Sequence, residues 1–267
     1  MTRYSDLRFA FKFLSYYLTS SNGKGHGIHS PFVFDFITKV LNDKTAYDDY
    51  EKVENLRQRL LHDRTVLNVE DYGAGSSSSR SGTRSVASIT RHAVKSEKYG
   101  QLLYRAVKNT QPKTIIELGT SLGLTTSYLA LANPRANVLT LEGSGEIASV
   151  ARENFKALQL ENIRLVEGNF DYTLPALLYN LPTIDFAFID GNHRREPTLH
   201  YFHQLFGKRN NESVIIMDDI HWSSEMEQAW HTIRQYPIVR CTIDLFFFGI
   251  ILFRHEFKEK QHFTIRF

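Results

Sequence analysis

The sequence predicts an α/β fold: a mainly parallel sheet with an antiparallel last strand, preceded by a helical N-terminal extension. Three observations predict it. From Pro112 onward, short apolar runs rich in β-branched residues alternate with segments of helical period. Glycine turns follow two apolar runs, in "VEDYGAG" and "IIELGTSLG". Acidic residues stand at the ends of four runs, "KTIIEL", "NVLTLE", "IDFAFID" and "SVIIMDD".

Residues 1–62 read as three aromatic-rich helices, "LRFAFKFLSYYL", "SPFVFDFITKVL" and "YEKVENLRQRLL". Ser30-Pro31 suits a helix entry, with serine as cap and proline at the first helical position. A glycine-rich loop carrying His26 and His29 joins the first two. Residues 63–95 are loop-rich with a serine/arginine tract, and a helix covers 97–109. Helices near 123–132, 146–159, 173–180, 197–206 and 224–235 then alternate with strands, which implies parallel pairing with both sheet faces covered. "VRCTIDLFF" and "GIILFRHEF" are joined too tightly for a crossover and read as an antiparallel hairpin. The expected division is a helical extension with a substrate lid over 1–95 and the sheet domain over 96–267.

With 267 residues, 42% hydrophobic and 13% aromatic, the chain can bury a large core. Its net charge of +3 neither demands nor excludes a nucleic-acid partner. One cysteine, Cys241, excludes an internal disulfide framework and a cysteine-rich zinc site. Charges at Arg3, Asp6, Arg8 and Lys12 interrupt any signal-peptide core. No window approaches ~18 uncharged apolar residues, so no membrane span is expected and a cytoplasmic location is. The aromatic N-terminal helices suit either a homodimer surface or packing onto the sheet.

Of the two glycine loops, the second meets the strand–turn–helix test for a ligand site. Gly119 and Gly123 allow close backbone approach, and a helix N-terminus there offers N–H donors, with Ser121 and Thr125 adding hydroxyls. The first loop runs into "SSSSRSGTRS", which has no apolar helical face. A nicotinamide dinucleotide would want G-x-G-x-x-G, whereas only Gly119 and Gly123 are present, and Glu117 would repel a pyrophosphate. An acid before the turn and a second acid, Glu142, ending the next strand suit S-adenosylmethionine: one near the amine, the other accepting the ribose hydroxyls.

Taken in order, "IIELGTSLGLTTSYLA", "TLEGS", "EGNF", "FAFIDGNH" and "IIMDDIHWS" resemble the class I S-adenosylmethionine-dependent methyltransferases, in particular the catechol and caffeoyl-CoA O-methyltransferases. The resemblance covers about residues 97–255 and implies a Rossmann-like, seven-stranded sheet whose last strand is antiparallel. It implies that Glu117, Gly119, Ser121, Gly123 and Thr125 surround the methionine part of the cofactor and that Glu142 holds the ribose. Gly168, Asn169 and Phe170 would lie by the adenine.

Asp190, Asp218 and Asp219 end two strands at the carboxyl edge, where open α/β folds place their sites. Converging carboxylates repel unless a cation or a substrate base separates them, and oxygen ligands favour magnesium, calcium or manganese. Helix capping is the alternative, although Ser224-x-x-Glu227 already supplies a capping box. In the resembled family a matching Asp / Asp-Asn set holds magnesium; here Asp219 replaces the asparagine. His193 falls where the catechol enzymes place their lysine base, and histidine can take a hydroxyl proton near neutral pH. Asp190 is thus expected beside the cofactor, at the metal and in the chemistry.

Arg80, Arg84, Arg91, Lys95 and Lys98 follow the first glycine loop and suit either a lid facing an anionic group or a solvated loop. Methylation of a small hydroxylated substrate is the favoured activity. An RNA-modifying methyltransferase, a nicotinamide oxidoreductase and a non-catalytic binding module are the rivals.

Overall fold

The computed structural model describes residues 3–21, 23–25, 30–69 and 82–267. The N-terminal elements are α1 (Asp6–Thr19), α2 (Pro31–Phe36) running into a π-helical turn (Ile37–Leu41), α3 (Asp48–His62), β1 (Val66–Asn68), β2 (Thr83–Ser85), α4 (Val86–His92) and α5 (Glu97–Thr110). Next come β3 (Thr114–Leu118), α6 (Leu124–Ala132), β4 (Asn137–Glu142), α7 (Gly145–Ala157), β5 (Ile163–Glu167) and α8 (Phe170–Tyr179). The chain continues with β6 (Ile184–Ile189), α9 (Arg195–Phe206), β7 (Arg209–Met217) and α10 (Ser224–Gln235). It closes with β8 (Cys241–Asp244), β9 (Gly249–Leu252) and β10 (Gln261–Thr264). The fold is mixed α/β with mainly parallel strand pairing, as expected. No described helix is long and apolar enough to cross a membrane.

Two compact units form, one from Asp43–Tyr179 and the other from Met1–Asn42 with Asn180–Phe267. In the first of these, β4 lies between β3 and β5, parallel to both. Ile115, Ile116, Leu118, Val138 and Leu141 are wholly buried, the near-continuous apolar pattern of a strand covered on both faces. Tyr128 of α6 is also fully buried; it lies against Gly100 of α5 and donates its hydroxyl to Glu54 of α3 at 2.8 Å. A Cβ at position 100 would stand 2.5 Å from the Tyr128 ring, so only glycine lets α5 approach. Between residues 63 and 95, expected as loop, β1 and β2 pair antiparallel and α4 follows. Ser85 caps α4, whose Val86, Ala87 and Ile89 are buried.

In the other unit, β6 and β7 are parallel, while β9 runs antiparallel to both β7 and β8. The expected hairpin is therefore present, in register from Cys241 opposite Leu252 to Asp244 opposite Gly249. β10 was not foreseen; it joins the outer edge of β8 in parallel. Ser30 caps α2, its side chain accepting from Val33 N at 3.3 Å, with Pro31 at the first helical position.

Helix α1 is pinned along one face. Its Phe9 and Phe13 meet the Phe246 ring edge-on at 5.2 and 5.0 Å, and the Tyr16 hydroxyl donates to the Ile265 carbonyl. Tyr4 OH donates to Glu227 Oε2 at 2.6 Å and Lys12 Nζ to Glu227 Oε1 at 2.8 Å. His221 bridges Glu227 through Nδ1 at 2.9 Å and Asp244 through Nε2 at 2.8 Å. Burial alone would lower the His221 pKa, but hydrogen bonds to Asp244 and Glu227 and their charges push it up to about 9. Burial would likewise raise Glu227, yet the donors His221, Lys12 and Tyr4 bring it down to about 2. Ser224 and Glu227 therefore do not form the expected capping box. Glu227 turns its carboxylate to this network, and Ser223 caps α10 by accepting from Met226 N at 3.2 Å.

Two outcomes are expected. Replacing Ser223 with alanine should destabilise the protein by about 1 kcal/mol, whereas Ser224→Ala should change it by a few tenths, as read by denaturant unfolding. The reverse order would return the cap to Ser224. His221 holds its proton up to about 9 against 6.5 when unfolded, so its contribution is complete below 6.5 and lost as pH rises through 9. Glu227 contributes fully above 4.5 and loses its contribution as pH falls through 2. His221→Asn should then lower the melting temperature most between 4.5 and 6.5, with the gap closing above pH 9. A gap that stays the same from pH 6 to above pH 9 would mean that His221 carries no charge in the fold.

Candidate active site

The turn after β3 has three residues at positive φ: Gly119 at 102°, Ser121 at 49° and Gly123 at 82°. Gly123 precedes α6 against the Phe155 ring, to which a Cβ would come within 2.5 Å. Position and packing both demand glycine there. Ser121 tolerates its left-handed conformation while its N–H donates to Glu142 Oε2 at 2.8 Å.

Glu142, at the end of β4, is the junction of three strand-end loops. One oxygen takes Ser121 N from the turn after β3, and the other takes Ser144 N at 3.0 Å from the turn after β4. Its backbone carbonyl accepts from Gly168 N at 2.8 Å, in the turn after β5, where Gly168 sits at φ 130°. Asn169 follows and caps α8, its Oδ1 accepting from Asp171 N at 2.9 Å, and Phe170 opens that helix. Glu117 is wholly buried within β3, its Oε2 accepting from the Thr126 and Thr140 hydroxyls at 2.5 and 2.6 Å. Thr125 is buried in the first turn of α6. Glu117, Gly119, Ser121, Gly123, Thr125, Glu142, Gly168, Asn169 and Phe170 thus all lie on β3, β4 and the loops and helix starts after β3, β4 and β5.

In the other unit, Asp190 follows β6 and Asp218 follows β7, whose ends are tied by Asp218 N donating to Ile189 O at 2.9 Å. Asp190, His193 and Asp218 each present a ligand atom within 4.8 Å of the other two. His193 Nε2 is 3.4 Å from Asp190 Oδ1. Asn192 and His193, at φ 69° and 45°, form the sharp turn that brings the imidazole back toward the strand end. Asp218 is 1% exposed. The trio does not include Asp219, which sits at φ 54° and whose carbonyl accepts from Trp222 N at 3.0 Å.

Sequence reasoning missed the surroundings of this trio. The Trp222 ring lies 5.9 Å from that of His193, and the Trp222 carbonyl accepts from Tyr4 N at 3.3 Å. His221, next to Trp222, belongs to the Glu227–Asp244 network. Only the spacing in "DDIHWS" hinted at this, because the partners of His221 and Trp222 include residues near the N-terminus. His26, His29 and Arg80, with most of the first glycine loop, lie outside the described residues. Of the other lid candidates, Arg84 is in β2, and Arg91 in α4 donates to the Leu61 carbonyl at 3.2 Å. Burial lowers the pKa of Lys98 in α5.

Residues 116–220, which include the β3 turn and both strand-end aspartates, match the family described as Methyltransferase domain. Over 99 residues the chain is 31% identical to catechol O-methyltransferase of Bos taurus, covering 35% of this chain and 36% of that protein. It is 40% identical over 77 residues to a tRNA (guanine-N(7)-)-methyltransferase of Mycoplasma mobile, covering 29% of this chain and 38% of that one. The chain thus spans little more than a third of the length of these curated relatives. An O-methyltransferase from Bacillus cereus, crystallised with SAH, shares its fold with a TM-score of 0.55 at 19% identity, covering 83% of this chain and 97% of that one. A Podospora anserina methyltransferase, also with SAH bound, aligns with a TM-score of 0.58 at 14% identity over 95% of this chain and 98% of its own. Over residues 116–220 the chain thus matches a methyltransferase domain, with local sequence likeness to catechol O-methyltransferase and the fold of the SAH-bound methyltransferases.

Proposed function

We propose that the chain methylates a hydroxyl oxygen of a small aromatic or acidic molecule, using S-adenosylmethionine. The observation that carries this is the Glu142 junction beside a glycine turn. A carboxylate at the end of the strand that follows the glycine turn is an acceptor suited to ribose hydroxyls. Bound S-adenosylmethionine would supply a methyl group already activated on a sulfonium. Glu142 would hold the sugar, the turn from Gly119 to Gly123 would border the methionine part, and Gly168, Asn169 and Phe170 would border the adenine. Residues 96–267 would carry this chemistry, with the stretch before them serving as extension and lid.

Asp190, His193 and Asp218 would handle the acceptor. With the Nε2 edge of the imidazole toward Asp190, Nδ1 is the atom placed to take the hydroxyl proton, and Asp190 would steady the resulting imidazolium. With the activated methyl supplied by the bound cofactor, His193 would take the proton that the acceptor hydroxyl sheds. The same trio could hold a divalent cation, which would lower the pKa of an acceptor hydroxyl. An imidazole nitrogen among the donors suits zinc better than magnesium, calcium or manganese. A histidine whose lone pair is given to a metal cannot also serve as base, so the two roles of His193 are exclusive.

The tRNA-modifying relative favours a second reading, methylation of RNA. Binding to bulk tRNA with a steep salt dependence would support it.

Calorimetric titration with S-adenosylhomocysteine tests the cofactor site. Glu142→Gln should weaken binding about 10- to 100-fold, the loss of about 1.5–3 kcal/mol expected for hydrogen bonds to a charged group. Undiminished affinity would remove Glu142 from the site. Replacing Asp190 and Asp218 together with alanine should abolish methyl transfer to a catechol probe while sparing S-adenosylhomocysteine affinity. Retained turnover would exclude the trio from the chemistry.

A further inference from the structure

The outer face of α1 carries a stripe of apolar side chains. Leu7, Phe11, Leu14 and Leu18 are 84, 72, 53 and 70% exposed. They are spaced four, three and four residues apart, the spacing by which paired helices keep one seam in contact. At about 100° per residue, Leu7 lies half a turn round the helix from Tyr16, on the opposite side from the pinned face. Because Tyr4, Lys12 and Tyr16 are bonded to Glu227 and Ile265, the helix cannot roll to bury this stripe without breaking those contacts. A helix apolar on both sides is one that expects a second covering.

We infer that α1 pairs antiparallel with α1 of a second copy of this chain, about a two-fold axis between Phe11 and Leu14. Leu7 and Leu18 are equidistant from that midpoint, as are Phe11 and Leu14, so the face is its own complement under two-fold rotation. Antiparallel pairing also opposes the helix dipoles and keeps Arg8 away from its counterpart, which parallel pairing would set side by side. The charges around the stripe disfavour an anionic lipid surface. Arg3 is paired with Asp6 at 3.3 Å, the Arg8 guanidinium lies over the Tyr4 ring at 4.3 Å, and Lys12 is bound to Glu227. Large apolar side chains each cover on the order of 100–200 Å², so the four residues with Tyr17 approach roughly 600 Å² per copy. That is the lower end for a specific interface, which sets the expectation of a weak dimer that dissociates on dilution.

The inference is independent of the methyl-transfer chemistry and is tested without an activity assay. Sedimentation equilibrium of the full chain from about 1 to 200 μM should show monomer passing to dimer, and Leu14→Glu should remain monomeric while keeping the wild-type helical circular dichroism. Under mild oxidation, the double variant Leu7→Cys/Leu18→Cys should form interchain disulfides, whereas Leu7→Cys alone should not, the native Cys241 being buried. A wild-type chain that stays monomeric throughout, a dimer unaffected by Leu14→Glu, or efficient cross-linking of Leu7→Cys alone would overturn the proposal. So would co-sedimentation with phosphatidylglycerol vesicles that Leu14→Glu abolishes, since that would assign the face to lipid.

Discussion

The hydrogen bonds made by Glu142 are the constraint that holds together the loops after β3, β4 and β5. Ser121 occupies a left-handed conformation that costs a non-glycine residue on the order of 1–3 kcal/mol. A charge-assisted bond from its N–H to the Glu142 carboxylate offsets part of that cost. The same side chain holds Ser144, and its carbonyl holds Gly168, so one residue sets the relative positions of three loops. With these in place the chain can present a tight glycine turn at the edge of a parallel sheet. Gly123 completes the arrangement by letting Phe155 pack against the start of α6.

The other unit uses charge differently. His221 lies between two carboxylates, and its imidazolium is stabilised because each ring nitrogen donates to one of them. Lys12 and Tyr4 then join the N-terminal segment to the same Glu227. This places fixed charge and the Tyr4–Trp222 backbone bond next to the loop that leaves Asp218. Through these contacts the segment that carries α1 is tied to Glu227 and to the Trp222 carbonyl.

Much of the architecture was legible. The strand–helix series from β3 to α10, the Ser30-Pro31 helix start and the terminal hairpin all follow from local pattern and turn chemistry. β10 was missed because an edge strand of four residues has little periodicity of its own and is defined by pairing with β8. The capping assignment at Ser224 failed because two adjacent serines compete for one helix start, and a distant Lys12 and Tyr4 claimed the Glu227 carboxylate. Asp218 and Asp219 looked equivalent in sequence, yet it is Asp218 whose carboxylate gathers with Asp190 and His193. His193 takes that place because two successive left-handed residues fold its loop back.

By itself the sequence determined which segments become strands and helices, and which residue types crowd the strand ends, because hydrophobic period and glycine spacing act over a few neighbours. Only the tertiary structure decided that Glu117 is buried against two threonines, that Glu142 joins three loops, and that His221 is charged. Those outcomes rest on hydrogen bonds mostly between residues 6 to 26 positions apart and, around Glu227, some more than two hundred apart. Local propensity cannot encode a partner so far along the chain; the packed fold supplies it.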